Sequence, residues 1–476
     1  MQSGTYVRAS WKLVGLILAL ALIAPSSVAA GGPGSWTRVT DRDAWFELNL
    51  IRHGGRLHIG VREDESNTTY RMIHRSISAG GAVGPSHTVA QGFTYLGYYP
   101  AFIAAAQLHM NFGAKATGDG YSNSHMMQVT SGTNGDTWSA PLDTKVTDGP
   151  ARSPSEMDGT LGPGAAYYVW EGTLCICVDR YIGPFGDADH TNFNDVGGNN
   201  ADPSIGFDPA AGKVWVAYLI FGGDSAGVYV REVNTTDGEP VGSSVLLRGS
   251  FDVFEGERLI SFQNGRVPMA ARSQGGLFVA YRNGYPSPNR VRLWRIGSPG
   301  FATIASGKGI GEVAVAADPN GRMWGVWVRN GRVFARRSNP SVSRWGKTVS
   351  VPDPKNSVGI ATLQADAQEH VVDVLAASQQ VENPGSFHTQ IEPGISFTAT
   401  PRRFPRETAQ KLKFVTRDAG APLANSRITV AGESCTTNSD GVCVMPLGPY
   451  SNPKRLRVKA THADYTPAKL SLRITR

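Results

Sequence analysis

Little of this chain is charged. Asp, Glu, Lys and Arg make up 18% of its 476 residues, and there are four cysteines. With 41% apolar residues, so low a charge argues against disorder. No stretch sustains a helical period, so a helical fold is not expected. No segment beyond the first thirty residues or so is long and apolar enough to cross a bilayer. The ten histidines show no HExxH zinc spacing, and no GxSxG elbow appears.

What is present begins with the N-terminus. Arg8 and Lys12 precede the apolar run LVGLILALALIAP, and SSVAA follows, ending at Ala30. This reads as a secretory signal over residues 1–30, with no cysteine at the cut site for a lipid anchor. The expected product is secreted and extracellular, beginning near Gly31. Glycine (56) and proline (29) are scattered, and apolar runs of roughly five to eight residues lie between Gly, Asp, Asn and Pro. The pattern is all-β.

Charge is uneven. Residues 399–476 hold 14 basic and 5 acidic residues, a net of +9, while 31–398 hold 30 and 34, a net of −4. A basic module on an exported chain suggests an anionic surface, such as a cell-surface polymer or acidic glycan. A solvated surface that aids solubility is the alternative. Without an aromatic and basic platform, nucleic acid is not an expected partner.

Residues 40–398 carry a repeat. GRLHIGV (55–61), GAAYYVW (164–170), GKVWVAY (212–218), GGLFVAY (275–281) and GRMWGVW (321–327) each place a glycine turn before a strand. EHVVDVL (369–375) continues the series, and QLHMNFGAK (107–115) fits less regularly. Strands precede and follow these segments, as in YPAFIAAA, DPSIGFDP, GVYVREV and VGSSVLL. Four strands per unit at a period of about 46 to 63 residues predict a β-propeller. Seven blades are favoured, and six are possible if a terminal unit is irregular. SWTRV (35–39) is placed to close the last blade.

SGTNGDTW, Ser131 to Trp138, resembles the Asp-box of the BNR repeat in sialidase-like propellers. Ser131, Gly135, Thr137 and Trp138 match, and Thr133 stands where the family has Asp. SNPSVSRW (338–345) is similar to a decayed copy. In the family the motif is a rim turn, so the resemblance implies a fold and not a catalytic site. A sialidase also needs an arginine triad, a Tyr nucleophile with its Glu, and an Asp acid/base. The family's F/Y-R-I-P motif is absent, and TYRMI (69–73) lacks its proline. Beyond the Pro- and Arg-rich junction PRRFPRE (401–407), Asp418, Gly420, Pro422, Leu423, Thr437, Asp440 and Gly441 resemble an Ig-like, carboxypeptidase-regulatory-like sandwich module. The expected domains are therefore a propeller over 31–398 and a basic Ig-like sandwich over 399–476.

Inner-strand starts should face the channel, and they carry Glu156, Asp158, Asp202, Glu255, Glu257 and Glu312. Glu255, Glu257 and Glu312 are the candidate catalytic carboxylates, and Arg258 and Arg272 the candidate ligand-binding arginines. Two carboxylates meeting at the channel mouth would permit glycoside hydrolysis, while solvated loop charges are the bland alternative. GDADHTNFNDVGGNN (186–200) offers Asp187, Asp189 and Asp195 as oxygen donors for calcium, without EF-hand spacing; no other cofactor is expected. His58 reads as a core or interblade histidine. Cys435 and Cys443 flank TTNSDGV and are expected to form a hairpin clamp, while Cys175 and Cys177 read as buried thiols. Three functions are open. One is an extracellular protein that recognises glycan or protein without catalysis, and another is a sialidase-like glycoside hydrolase. A scaffold with no small ligand is a third.

Overall fold

The structure is a computed structural model. It describes residues 32–475 apart from 41–47, Tyr98, 117–124, 145–155, 173–175, 183–187, 194–198, 222–224, 251–265, 284–288, 355–359 and 379–384. The expected signal segment lies outside the described residues. All regular structure among those described is β, and no helix there is long and apolar enough to cross a membrane.

The chain folds as successive antiparallel meanders. A typical unit runs Met157–Gly162, Ala165–Glu171, Ile176–Tyr181 and Ala188–Asn192, each strand pairing with the next. Three more four-stranded sheets follow, starting at Asn199–Asp208, Met269–Ala271 and Ile310–Ala317. The eight strands from Leu48–His53 to Leu142–Asp143 form two such meanders joined in one sheet. They join where His87–Leu96 pairs with Leu108–Ala116. The last unit draws its outer strand from the opposite end of the chain. Thr37–Arg38 pairs with Gly385–Ile391, as expected for SWTRV. Trp36 Nε1 donates to the Pro352 carbonyl at 2.7 Å and fixes the same segment.

Every segment of the sequence repeat forms the second strand of such a unit. These strands are apolar on both sides because each sheet is covered on both sides. Val214, Val216, Tyr218 and Ile220 pack against Tyr167, Val169 and Val178 of the preceding unit. On the other face Ala217 and Leu219 meet Val279 and Tyr281 of the following one. The series returns to its start, where Leu375 and Ala377 pack with Leu57, Ile59 and Val61. A ring of sheets closed in this way hides its faces and leaves no long sheet edge open. The fold is a β-propeller.

Residues from Ser396 on form two further sheets. One holds Ser396–Thr400, Gln410–Asp418, Ala421–Pro422 and Val442–Leu447. The other is ordered Arg403–Pro405, Tyr465–Thr475, Arg455–His462, Arg427–Val430, Glu433–Thr436. They face each other across Phe404, Leu412, Phe414, Ile428, Val458 and Leu472. Cys435 and Cys443 are bonded, as expected, but not across a hairpin. Cys435 belongs to the second sheet and Cys443 to the first, so the bond ties the two layers together. Cys177 is also disulfide-bonded, which corrects the expectation of a buried thiol there. It is the second residue of its strand, and Cys175 lies outside the described residues.

Candidate functional site: the central channel

A cavity of about 280 Å³ runs down the middle of the ring. It is lined from Leu48–His53, Ala101–Ala104, Met157–Gly162, Asn199–Asp208, Met269–Ala271, Ile310–Ala317 and Ile360–Ala367, the first strand of each unit. Much of the wall is Gly159, Gly206 and the alanines of Ile310–Ala317, because the inner strands converge on a narrow axis. A Cβ at Gly206 would press on Leu277 and Met269.

The polar lining forms a network. Arg266, just ahead of Met269–Ala271, donates through Nη1 to Asp158 Oδ1 at 3.0 Å and through Nη2 to Gln364 Oε1 at 3.1 Å. One guanidinium thus spans strands that are far apart in the ring. Asp158 also accepts the backbone N–H groups of Gly159 (3.0 Å) and Ile205 (3.2 Å). Burial raises the Asp158 carboxyl, and Arg266 opposes that rise. A second group lies further along the wall. Arg52 donates to Asp366 at 2.6 Å and to Asp373 at 2.5 Å. Burial pushes Asp366 up to about 6, against the pull of Arg52. Burial acts the same way on Asp373, but the bond from His388 and the charges of His388 and Arg52 hold it below the usual value.

Glu156 stands at the start of Met157–Gly162, behind the lining. Its Oε2 accepts the N–H of Asp202 at 3.2 Å. Asp202 is buried at φ +54, where the register of Asn199–Asp208 shifts between Ala201 and Ser204. Burial first, then the neighbouring Asp202 and Glu171, hold the Glu156 carboxyl well above the ordinary glutamate value. It stands two residues from the arginine-paired Asp158, whose carboxyl burial also raises and Arg266 holds back. A raised carboxyl beside an arginine-paired one is an arrangement acid/base chemistry uses.

The sequence candidates divide. Glu255, Glu257 and Arg258 lie outside the described residues. Glu312 is buried and bound to Arg282 at 2.9 Å, and it does not line the cavity. Arg272 is not at the channel mouth either. It sits in the turn after Met269–Ala271, at the strand's far end, and donates to the carbonyls of Gly321 (2.7 Å) and Pro340 (2.5 Å). There it tacks one unit to the next. Asp189 is paired with Arg180 at 2.9 Å on the outermost strand of its unit. Asp187 and Asp195 lie outside the described residues, and no cluster of three metal-binding side chains occurs among those described. Arg266, Gln364, Arg52 and Asp366 were not singled out by sequence. The signal for Arg266 was its place just before an inner strand.

SGTNGDTW joins the third and fourth strands of its unit. Ser131 Oγ accepts the Gly135 N–H at 2.8 Å, and Thr133 Oγ1 accepts that of Thr137 at 2.8 Å. Trp138 packs edge-on against His74, with centroids 5.2 Å apart. In SNPSVSRW, Asn339 Oδ1 accepts from Ser343 (2.9 Å) and Arg344 (3.0 Å). Both turns are structural.

No protein-family model matches the chain, and neither does any curated protein. Solved structures of similar outline exist at very low identity. A Kuenenia stuttgartiensis hydrazine synthase chain is 13% identical, with a TM-score of 0.46, over 78% of this chain and 98% of that one. Trypanosoma rangeli sialidase is 12% identical, at 0.41, over 94% and 89%. The polysaccharide lyase Uly1 is 9% identical, at 0.43, over 72% and 89%. No residue role is taken from them.

Proposed function

We propose that the protein is a secreted propeller that recognises an extracellular glycan at the mouth of its channel without cleaving it. In this reading residues 1–30 are removed on export, 31–398 form seven blades, and 399–476 are an Ig-like module. The observation that carries it is the pairing of the channel's charges with one another. Arg266 holds Asp158 and Gln364, and Arg52 holds Asp366 and Asp373. A hydrolase needs a carboxylic acid and a carboxylate flanking the scissile bond, and these carboxylates are committed. Polar groups fixed by such pairs are instead pre-organised to accept hydroxyls. The inter-sheet disulfide supports export to an oxidising compartment.

One observation favours hydrolysis as a second reading. The raised carboxyl of Glu156 is suited to a general acid. Incubating the full chain with a mixed panel of glycans, sialosides included, separates the two. Mass spectrometry of retained and shortened species is the readout. Retention without shortening, lost in Arg266→Ala, is the expected result. Shortened products that vanish in Glu156→Gln would replace recognition by hydrolysis.

A further inference from the structure

The second sheet of the C-terminal sandwich turns its outer face to solvent, and that face is basic. Arg403, Arg473 and Arg455 are register partners across three adjacent strands, and all three are exposed. Along Arg455–His462, Arg457 and Lys459 follow on the same face, because alternate residues of a strand share a side. Lys459 pairs in register with Lys469 on one side and with Thr429 on the other. Arg427 ends the series beside Thr461. Adjacent strands lie about 4.8 Å apart, and alternate residues about 6.6 Å apart along a strand. Seven cations therefore form a lattice with gaps of one or two residues. Among the described residues none of them takes part in an ion pair.

The acids of the module are elsewhere. Asp418 is buried against the propeller arginines, and Glu407, Asp440 and Asp464 lie in loops and turns. Glu433 pairs with Val430, whose side chain points into the core, so it has the opposite parity. Between Thr429, Arg457, Lys459, Lys469 and Ser471 lies a hollow of about 540 Å³. Its rim thus alternates cations with hydroxyls.

We propose that this face is a binding site for an acidic polysaccharide, held through the carboxylate, sulfate or phosphate groups along the polymer. Repeated cations at strand spacing match a repeated anion. The interspersed hydroxyls of Thr429, Ser434 and Ser471 suit sugar hydroxyls. No aromatic side chain lies on the face to stack on nucleic-acid bases. No large apolar side chain projects from it to enter a bilayer. The site is separate from the channel, and its success or failure leaves the channel reading untouched.

The test uses the full chain in gels cast with polygalacturonate or dextran sulfate, with neutral dextran as the blank. A short DNA duplex and phosphatidylglycerol vesicles serve as competitors. Retardation by an acidic polysaccharide is expected, and whichever gel retards more identifies the acid group. Arg457→Ser with Lys459→Ser should weaken binding about tenfold, and added salt should weaken it steeply. Lys411→Ser with Lys413→Ser removes the same charge from the other sheet and should change it less than about twofold. Equal losses in both double variants would reduce the effect to net charge and overturn the site. Absence of retardation would do the same, as would DNA or vesicles competing as well as the polysaccharide itself.

Discussion

Arg337 reaches across from the propeller to Asp418 of the sandwich, Nη2 to Oδ2 at 2.6 Å, with both side chains 4% exposed. The same oxygen accepts Arg322 at 2.9 Å and the Tyr465 hydroxyl at 3.1 Å. Three donors on one buried carboxylate oxygen make a joint with little freedom. Asp418→Ala strands two guanidiniums and should cost about 3–5 kcal/mol. Calorimetry should then resolve separate propeller and sandwich transitions where the parent melts with the two coupled. An unchanged melting profile would mean that the joint contributes nothing.

His58 and His74 predict acid sensitivity. They stack with centroids 5.2 Å apart, Nδ1 of one meeting Nε2 of the other at 2.9 Å. Both are buried. His53 and His87 adjoin the pair, and Arg56, itself ion-paired with Asp136, adds a further positive charge nearby. Burial, then the neighbouring histidines, lowers His74 to about 3, and burial lowers His58 in the same direction. The native state therefore holds both rings neutral, and their contribution is intact above the unfolded value near 6.5. It is lost as pH falls from there towards 3, at about 1.4 kcal/mol per pH unit for His74. Urea midpoints should drop between pH 7 and pH 5, and His74→Phe should flatten that slope.

Asp366 acts with the opposite sign. Its carboxyl is raised to about 6, so the folded state keeps a proton that the unfolded chain gives up near 3.8. Stability from this group falls as pH rises from about 4 to 6, by about 3 kcal/mol in all. Asp366→Asn keeps an oxygen for Arg52 and removes the titration. The variant should gain relative to the parent between pH 4 and pH 7 in paired urea titrations. A constant difference across that range would remove Asp366 from the account.

The ring was legible in the sequence because its second strands are buried on both faces. VWVAYLIF reads as apolar throughout, and a glycine turn announces five of these segments. SWTRV was legible as a closing strand because it precedes the first unit and has no partner near it in sequence. The channel was only half legible. Glu156 and Asp158 showed as carboxylates at an inner-strand start, yet Glu312, at a comparable position, serves the joint between units instead. Arg52 meets Asp366 across 314 residues, and no local spacing encodes that. Which inner residue faces the axis depends on register shifts, such as those at Asp202 and Glu312, that pattern reading does not resolve.

Gly135 and Arg266 should separate scaffold from site. Gly135 has φ +88, and a Cβ there would collide with the imidazole of His74. Gly135→Ala should cost about 1–3 kcal/mol for the backbone alone, and the collision adds to it. The turn sits between a third and a fourth strand, away from the lining of the channel. At temperatures where the variant is folded, glycan retention should therefore match the parent. Arg266→Ala should do the reverse. Its side chain is 18% exposed and Asp158 is 16% exposed, so solvent softens the loss of the pair. The expected cost in stability is about 1–2 kcal/mol, whereas retention should fall about tenfold or more. Thermal melts alongside retention assays would check both. Retention lost in Gly135→Ala and kept in Arg266→Ala would move the ligand from the channel to the rim turns.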